Sequence, residues 1–282
     1  PMKRTLLPFL FAVSSLAAEP EEWTYLDNGS LRLGVNRSAG AAIGWLSESG
    51  RDKNVLNHFD LGRYVQQSWY GEPDDSKWNG KPWLWNPVQA GSWQHKPALL
   101  QHFSATADVI ESVSTPVHWA SGKSLEEVVL RQKIQLEKSV VQIAFSMEYS
   151  GTVSHPVRDQ ELPAVFVDAA YETLYISKRG KTELTSLVPG WPNERYDLSQ
   201  PWVAYLDESG RGIGILVPGV ETITCYRAAG DPNNRSKGAC SYVAPIRRME
   251  ITPGFTFQYQ VYLTLGTLPE IQARFAELLK TE

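Results

Sequence analysis

Two long runs of alternating residues constrain this chain more than any other feature. Val128, Leu130, Ile134 and Leu136 alternate with Val129, Arg131, Lys133 and Gln135. After Glu137-Lys138-Ser139, a second set of Val141, Ile143, Phe145, Met147 and Tyr149 alternates with Gln142, Ala144, Ser146 and Glu148. A period of two puts each set on one face of a strand, whereas a helix needs a period near 3.6. Ser124-x-x-Glu127 has the form of a helix capping box, but the alternation that follows predicts a hairpin. The same style recurs elsewhere. Leu31, Leu33 and Val35 precede the turn Ser38-Ala39-Gly40 and a strand over residues 41–46. Trp202 to Leu206 and Gly212 to Val217 flank the turn at residues 207–210. Phe255, Phe257, Tyr259, Val261, Leu263 and Leu265 form one long alternating strand. Only the tail is helical in pattern. Pro269 suits a first turn, Ile271, Phe275, Leu278 and Leu279 share a face, and Glu270 and Lys280 complement the helix dipole. The expected fold class is all-β: a large antiparallel β-sandwich, supersandwich-like, with one short C-terminal helix.

The chain opens with Lys3 and Arg4, an uncharged apolar run from Leu6 to Leu16, and the small residues Ala17 and Ala18. That is the pattern of a secretory signal peptide over residues 1–18. The run is too short to cross a bilayer, which needs about 20 residues. Residues 19–282 are expected to form a single β-sandwich domain, catalytic or carbohydrate-binding, in a secreted or periplasmic protein. Without Lys3 and Arg4 the 27 basic residues fall to 25 against 31 acidic ones, and the basic residues do not cluster. Nucleic acid and, after signal cleavage, membrane are therefore not expected partners. Cys225 and Cys240 are a candidate disulfide across neighbouring strands in an exported chain, with two free buried thiols as the alternative. No cofactor is expected, and no ligand spacing supports a structural metal ion.

Residues 54–95 depart from the alternating pattern. Five of the ten tryptophans (Trp69, Trp78, Trp83, Trp85 and Trp93) fall in this stretch, interleaved with amides and charges. A pyranose has apolar C–H faces that lie on aromatic rings and a rim of hydroxyls that needs placed polar groups. Gln66, Gln67, Trp69, Trp83, Trp85, Asn86, Gln89 and Trp93 are accordingly the candidate substrate-binding residues, for a polysaccharide or oligosaccharide partner. The competing reading is the aromatic core of a β protein, with Asn-Pro and Gly-rich pieces shaping turns.

The order of the first hairpin, Asn57-His-Phe-Asp-Leu-Gly-Arg63, Gln66-Gln-Ser-Trp-Tyr70, Gln160-Glu-Leu-Pro-Ala-Val-Phe166 and the closing strand to Leu265-Gly resembles galactose-mutarotase-like β-supersandwich proteins. Secreted bacterial polysaccharide-degrading enzymes, including some polysaccharide lyases, use that fold. The large helical domain that several such lyases carry has no room in this chain.

The resemblance implies β-elimination of a uronate-containing glycan, with Asn, His, Tyr and Arg sharing the work. Asn57, His58, Arg63 and Tyr70 are those residue types within one segment. Arg63 would pair with the uronate, Asn57 or Gln67 would donate to the enolate, and Tyr70 or His58 would serve as base and acid. Extended neighbours such as Asn57 and His58 point to opposite faces, which argues against all four converging. Glycoside hydrolysis stands second and needs a carboxyl pair, drawn from Asp60, Glu126, Glu127, Asp159 and Glu161. Binding without turnover is the third reading. The chain has no Gly-x-Ser-x-Gly elbow and no phosphate-binding Gly-Lys-Ser/Thr loop.

Overall fold

The computed structural model describes residues 22–231 and 238–280. The signal-peptide reading of residues 1–18 lies outside them. The described residues form twenty strands and one α-helix. The alternation holds where it was read: Val128–Glu137 pairs with Val140–Tyr149, Ile134 facing Ile143, and the latter strand pairs in turn with Thr256–Thr267.

Fifteen strands form one sheet, thirteen of them joined edge to edge along one path, with Arg211–Leu216 beside Thr256–Thr267 and His155–Val167 beside Cys240–Ile251. The path doubles back because one strand serves two neighbours. The first part of Glu194–Leu206 pairs with Thr222–Ala228, and its second part pairs with Arg211–Leu216. The two halves thus lie face to face with one apolar core between them, as stacked sheets do. Trp69 marks the contact. It is fully buried, and its ring stands edge-on to Phe255 and Phe257, each at 6.0 Å.

The first hairpin (Trp23–Asp27, Leu31–Asn36 and Ala42–Glu48) forms a separate three-stranded sheet. Gly40 at its turn has φ 57°, and a Cβ there would lie 2.2 Å from the Gln89 carbonyl oxygen, so a side chain has no space. The helix Leu268–Leu278 follows the last strand directly. The Thr267 N–H donates to Glu270 Oε2 at 2.7 Å, and Ile271 and Phe275 are buried against Trp202 and Leu216. Burial of a side chain such as Phe275 contributes about 1.5–3 kcal/mol.

Part of the stretch after Gly71 forms a two-stranded ribbon, Pro73–Trp78 and Lys81–Leu84. Asp74 on this ribbon lies 2.7 Å from His118 Nε2. Cys225 and Cys240 are not bonded. They occupy adjacent strands, but Cys225 is opposite Val243 while Cys240 is opposite Ala228. Cys225 packs into the main core and Cys240 into a small cluster on the other face. Odd and even positions of a paired strand point apart, so the two thiols are separated by the sheet.

Candidate functional site

The strand His155–Val167 carries the site because its alternation is broken once. Glu161 is opposite Ile246, yet Val165 is opposite Val243, so four residues on one strand match three on the other. The same shift occurs against the other neighbour, where Glu161 faces Ser68 and Ala164 faces Gln66. This β-bulge re-aims the strand. Val165 and Val167 join the main core, while Ala164 and Phe166 join Cys240, Tyr242, Ala244 and Ile246 on the opposite face. Glu161, as the partner of Ile246, belongs to that second face.

Around the Glu161 carboxyl lie three hydroxyls. Burial pushes the carboxyl above the ordinary glutamate range, and the hydroxyls of Tyr242, Tyr70 and Ser68 partly offset this. Burial first, and then the Glu161 charge, push the Tyr70 and Tyr242 phenols well above their usual range. Both phenols therefore stay protonated and each keeps an O–H to donate. The Tyr242 hydroxyl is buried beside that carboxyl. The aromatic row continues outward. Tyr226 stacks on Tyr242 at 4.5 Å, Phe166 lies 4.8 Å from Tyr242, and Trp191 stands edge-on to Tyr226 at 4.9 Å. Trp191 is 68% exposed, so the row ends in an open indole.

Tyr70 and Glu161 line a cleft of about 680 Å³, with Leu84 of the ribbon, Asn193, Thr224 and Ile246. That volume suits a sugar residue or two, since small-molecule sites run to roughly 300–1,000 Å³. Val157 and the charged residues Arg158, Asp159, Arg195 and Arg248 complete the lining. Asp159 forms ion pairs with both Arg195 and Arg248, the latter at 3.4 Å.

No family model matches this chain, and no curated protein matches it. Solved structures do. A galactose mutarotase-like protein from Lactobacillus casei ATCC 334 aligns over 86% of this chain and 100% of its own, with TM-score 0.57 and 8% identity. One from Clostridium acetobutylicum aligns over 86% and 95%, with TM-score 0.53 and 8% identity. A galactose mutarotase related enzyme from Lactobacillus acidophilus aligns over 87% and 97%, with TM-score 0.52 and 11% identity. This chain has the galactose-mutarotase-like fold.

Within this mutarotase-like fold the residues singled out from sequence separate into three groups. Tyr70 and Glu161 meet in the cleft. Asp60 and Arg63 pair with each other at 2.9 Å, and Arg63 Nη1 lies 3.7 Å from Cys240 Sγ. They therefore stand at the end of the aromatic face, and the Arg63 guanidinium is already committed to a carboxylate. Asn57 and His58 lie elsewhere. The Asn57 amide is buried and donates to the Ala239 carbonyl at 3.0 Å, while the His58 ring packs against Trp23 and Trp45 of the first hairpin.

Most of the candidate sugar contacts are internal to the mutarotase-like sandwich. Gln67 is fully buried and donates to the carbonyls of Arg131 and Ser146 on the opposing half, at 3.1 and 3.2 Å. The Gln89 amide donates to Gln132 Oε1 at 2.9 Å, and Gln132 donates to the Ala41 carbonyl. Gln66 accepts from the Ala90 N–H, and Asn86 donates to the Trp69 carbonyl at 2.6 Å. Trp85 is buried and stacked on His155 at 4.1 Å. Trp83 is half-buried, edge-on to Trp78 at 5.0 Å. Trp93 is partly exposed and donates to the Ala120 carbonyl at 2.8 Å.

Sequence reasoning missed Tyr242, Tyr226, Trp191, Arg195 and Arg248 as members of the face. A signal was present. Even positions 240–248 alternate with core residues such as Val243, and Tyr226 continues the set on the neighbouring strand.

Proposed function

We propose that this chain is an exported carbohydrate-active enzyme that holds a sugar in the cleft and moves a proton on it with Glu161. The observation that carries this reading is the Glu161 carboxyl, which lines the cleft with Tyr70 and is raised above its ordinary range by burial. A carboxyl raised toward working pH is suited to both taking and giving a proton. Tyr70 and Tyr242 stay protonated, so they donate to an oxygen on which negative charge develops. Trp191, exposed at the end of the aromatic row, offers flat apolar surface to a sugar ring. The fold supports the sugar reading, because the similar structures named above are galactose mutarotase-like proteins.

Within this reading β-elimination stands first. Glu161 replaces Tyr70 and His58 as base, and Tyr70 hands a proton to the leaving oxygen. Hydrolysis is the second reading, favoured by the placement of Asp159 and Glu161 on one strand face. Two residues along a strand span about 6.6–6.8 Å, within the roughly 6.5–9.5 Å that inversion needs. The ion pairs from Arg195 and Arg248 leave Asp159 less free to act as a base.

The test is turnover of neutral and acidic polysaccharides by the purified protein, followed by ultraviolet absorbance and by new reducing ends, with proton NMR of anomer exchange on free sugars. Absorbance with reducing ends identifies elimination, reducing ends alone identify hydrolysis, and faster anomer exchange alone identifies a mutarotase. Glu161→Gln must abolish whichever signal is seen. Turnover that survives this substitution removes Glu161 from the chemistry.

A further inference from the structure

The strand His155–Val167 holds the neighbouring segment with two side chains. Gln160 bonds the backbone of Tyr70. Two residues further on, the Glu72 N–H donates to Nδ1 of His155 at 3.2 Å. The imidazole reaches that amide because residue 71 is glycine: a Cβ there would lie 2.5 Å from His155 Nδ1. The ring is buried, stacked on Trp85 at 4.1 Å and tilted against Tyr149 at 5.4 Å. Trp85 is bonded to the same segment, its N–H to the Glu72 carbonyl and its carbonyl to the Gly71 N–H, both at 2.8 Å. Tyr70 on one side of this joint and Leu84 on the other line the cleft. Of the two holding side chains only the imidazole titrates near neutral pH.

His155 Nδ1 accepts a hydrogen bond, so the neutral ring carries its proton on Nε2. That nitrogen is buried and closes no hydrogen bond among the described residues. A second proton has to land on Nδ1, where it faces the Glu72 N–H, donor against donor. It also places a charge in a buried site. The carboxylates of Glu72, Glu127 and Asp74 favour the charged ring, but burial outweighs them and holds it below the ordinary histidine range. Asp74 is drawn to His118 Nε2 at 2.7 Å, and Glu127 accepts from the Trp85 indole at 3.2 Å. Burial raises the Tyr149 phenol, which therefore stays neutral. We propose that His155 is a positioning residue for the cleft: its neutral imidazole fixes the segment Tyr70–Glu72, and protonation at Nδ1 releases that segment and the ribbon after it. The effect on turnover rests on the reading of Glu161 as the proton-moving group; the release itself does not.

Amide exchange and nitrogen NMR on the purified protein test this. The Glu72 amide is followed from about pH 8 to about pH 5, each rate divided by the intrinsic rate at that pH. In the released segment the ring titrates at about 6.5. The opening constant is therefore expected to rise by up to about ten-fold per pH unit below that value, until the ring also titrates in the closed state. His155→Gln keeps an acceptor that does not titrate and is expected to hold the amide without this slope. His155→Phe removes the acceptor and is expected to leave the amide open at every pH. The imidazole nitrogens should show the Nε2–H tautomer at the alkaline end. In turnover, the acid limb of kcat is expected to move to lower pH in His155→Gln. A flat exchange profile in the wild type, an unchanged slope in His155→Gln, or an Nδ1–H tautomer overturns the assignment. Should both variants fail to fold, the tautomer and the wild-type profile still decide it. Absence of turnover on every sugar would sink the reading of the cleft, and the exchange result would still decide the role of His155.

Discussion

Gln160 holds the backbone of Tyr70 by both of its polar groups: Oε1 accepts from the Tyr70 N–H at 2.7 Å and Nε2 donates to the Tyr70 carbonyl at 3.0 Å. Gln160 is fully buried on the core side of its strand, and Glu161 next to it faces the cleft. One dipeptide thus supplies the carboxyl and positions the phenol beside it. Gln160→Leu leaves a donor and an acceptor unpaired, at a cost of about 1–3 kcal/mol. The expected result is a lower urea midpoint together with a loss of turnover larger than the loss of sugar affinity. Unchanged turnover in the folded variant would make Gln160 a packing residue only.

Glu161 titration couples stability to pH with a definite sign. Burial raises its folded pKa above the unfolded value. Between those two values the native state binds more protons, so stability contributed by this group falls as pH rises. The penalty is absent below the ordinary glutamate range and complete above the raised pKa. Glu161→Gln removes it. The variant is expected to melt at or above the wild-type temperature at neutral pH, and the difference should vanish near pH 4. A melting temperature that drops at neutral pH would mean that the Glu161 anion is stabilised by its surroundings.

Gln132 is a structural residue in this account, although it belongs to the same polar population as the predicted sugar contacts. It accepts from Gln89 and donates to the Ala41 carbonyl inside the sandwich. Gln132→Ala strands both partners and is expected to cost about 1–3 kcal/mol. Chemical denaturation should show the loss, and sugar specificity should be unaltered.

The two thiols should behave as separate, slow groups. Burial pushes Cys225 up to about 12 and Cys240 up to about 11. The thiolate is the reactive form, so a thiol reagent is expected to label neither residue quickly in the native protein and both after denaturation. An intact mass two hydrogens short, or a melting temperature that falls on adding reductant, would contradict the separation of the cysteines by the sheet.

The hairpin over residues 128–149, the long strand to Leu265 and the helix after Thr267 were all legible, since each is written in a local period. Tyr70 and Glu161 were also named, but for separate chemistries, because the ninety residues between them hide their meeting. The bulge after Glu161 was not legible. Leu-Pro-Ala-Val-Phe reads as a plain apolar strand, and the extra residue shows only against the register of its two neighbours.

Gln67 and Glu161 mark the boundary between the two kinds of knowledge. Side-chain period is a property of consecutive residues, so the chain alone determined its strands, its faces and its closing helix. Amides among tryptophans look the same whether they meet a sugar or the carbonyl of another strand. That choice depends on what packs against them. The fold placed Gln67 against Arg131 and Ser146, closing its bonds internally, and brought Glu161 to the cleft beside Tyr70.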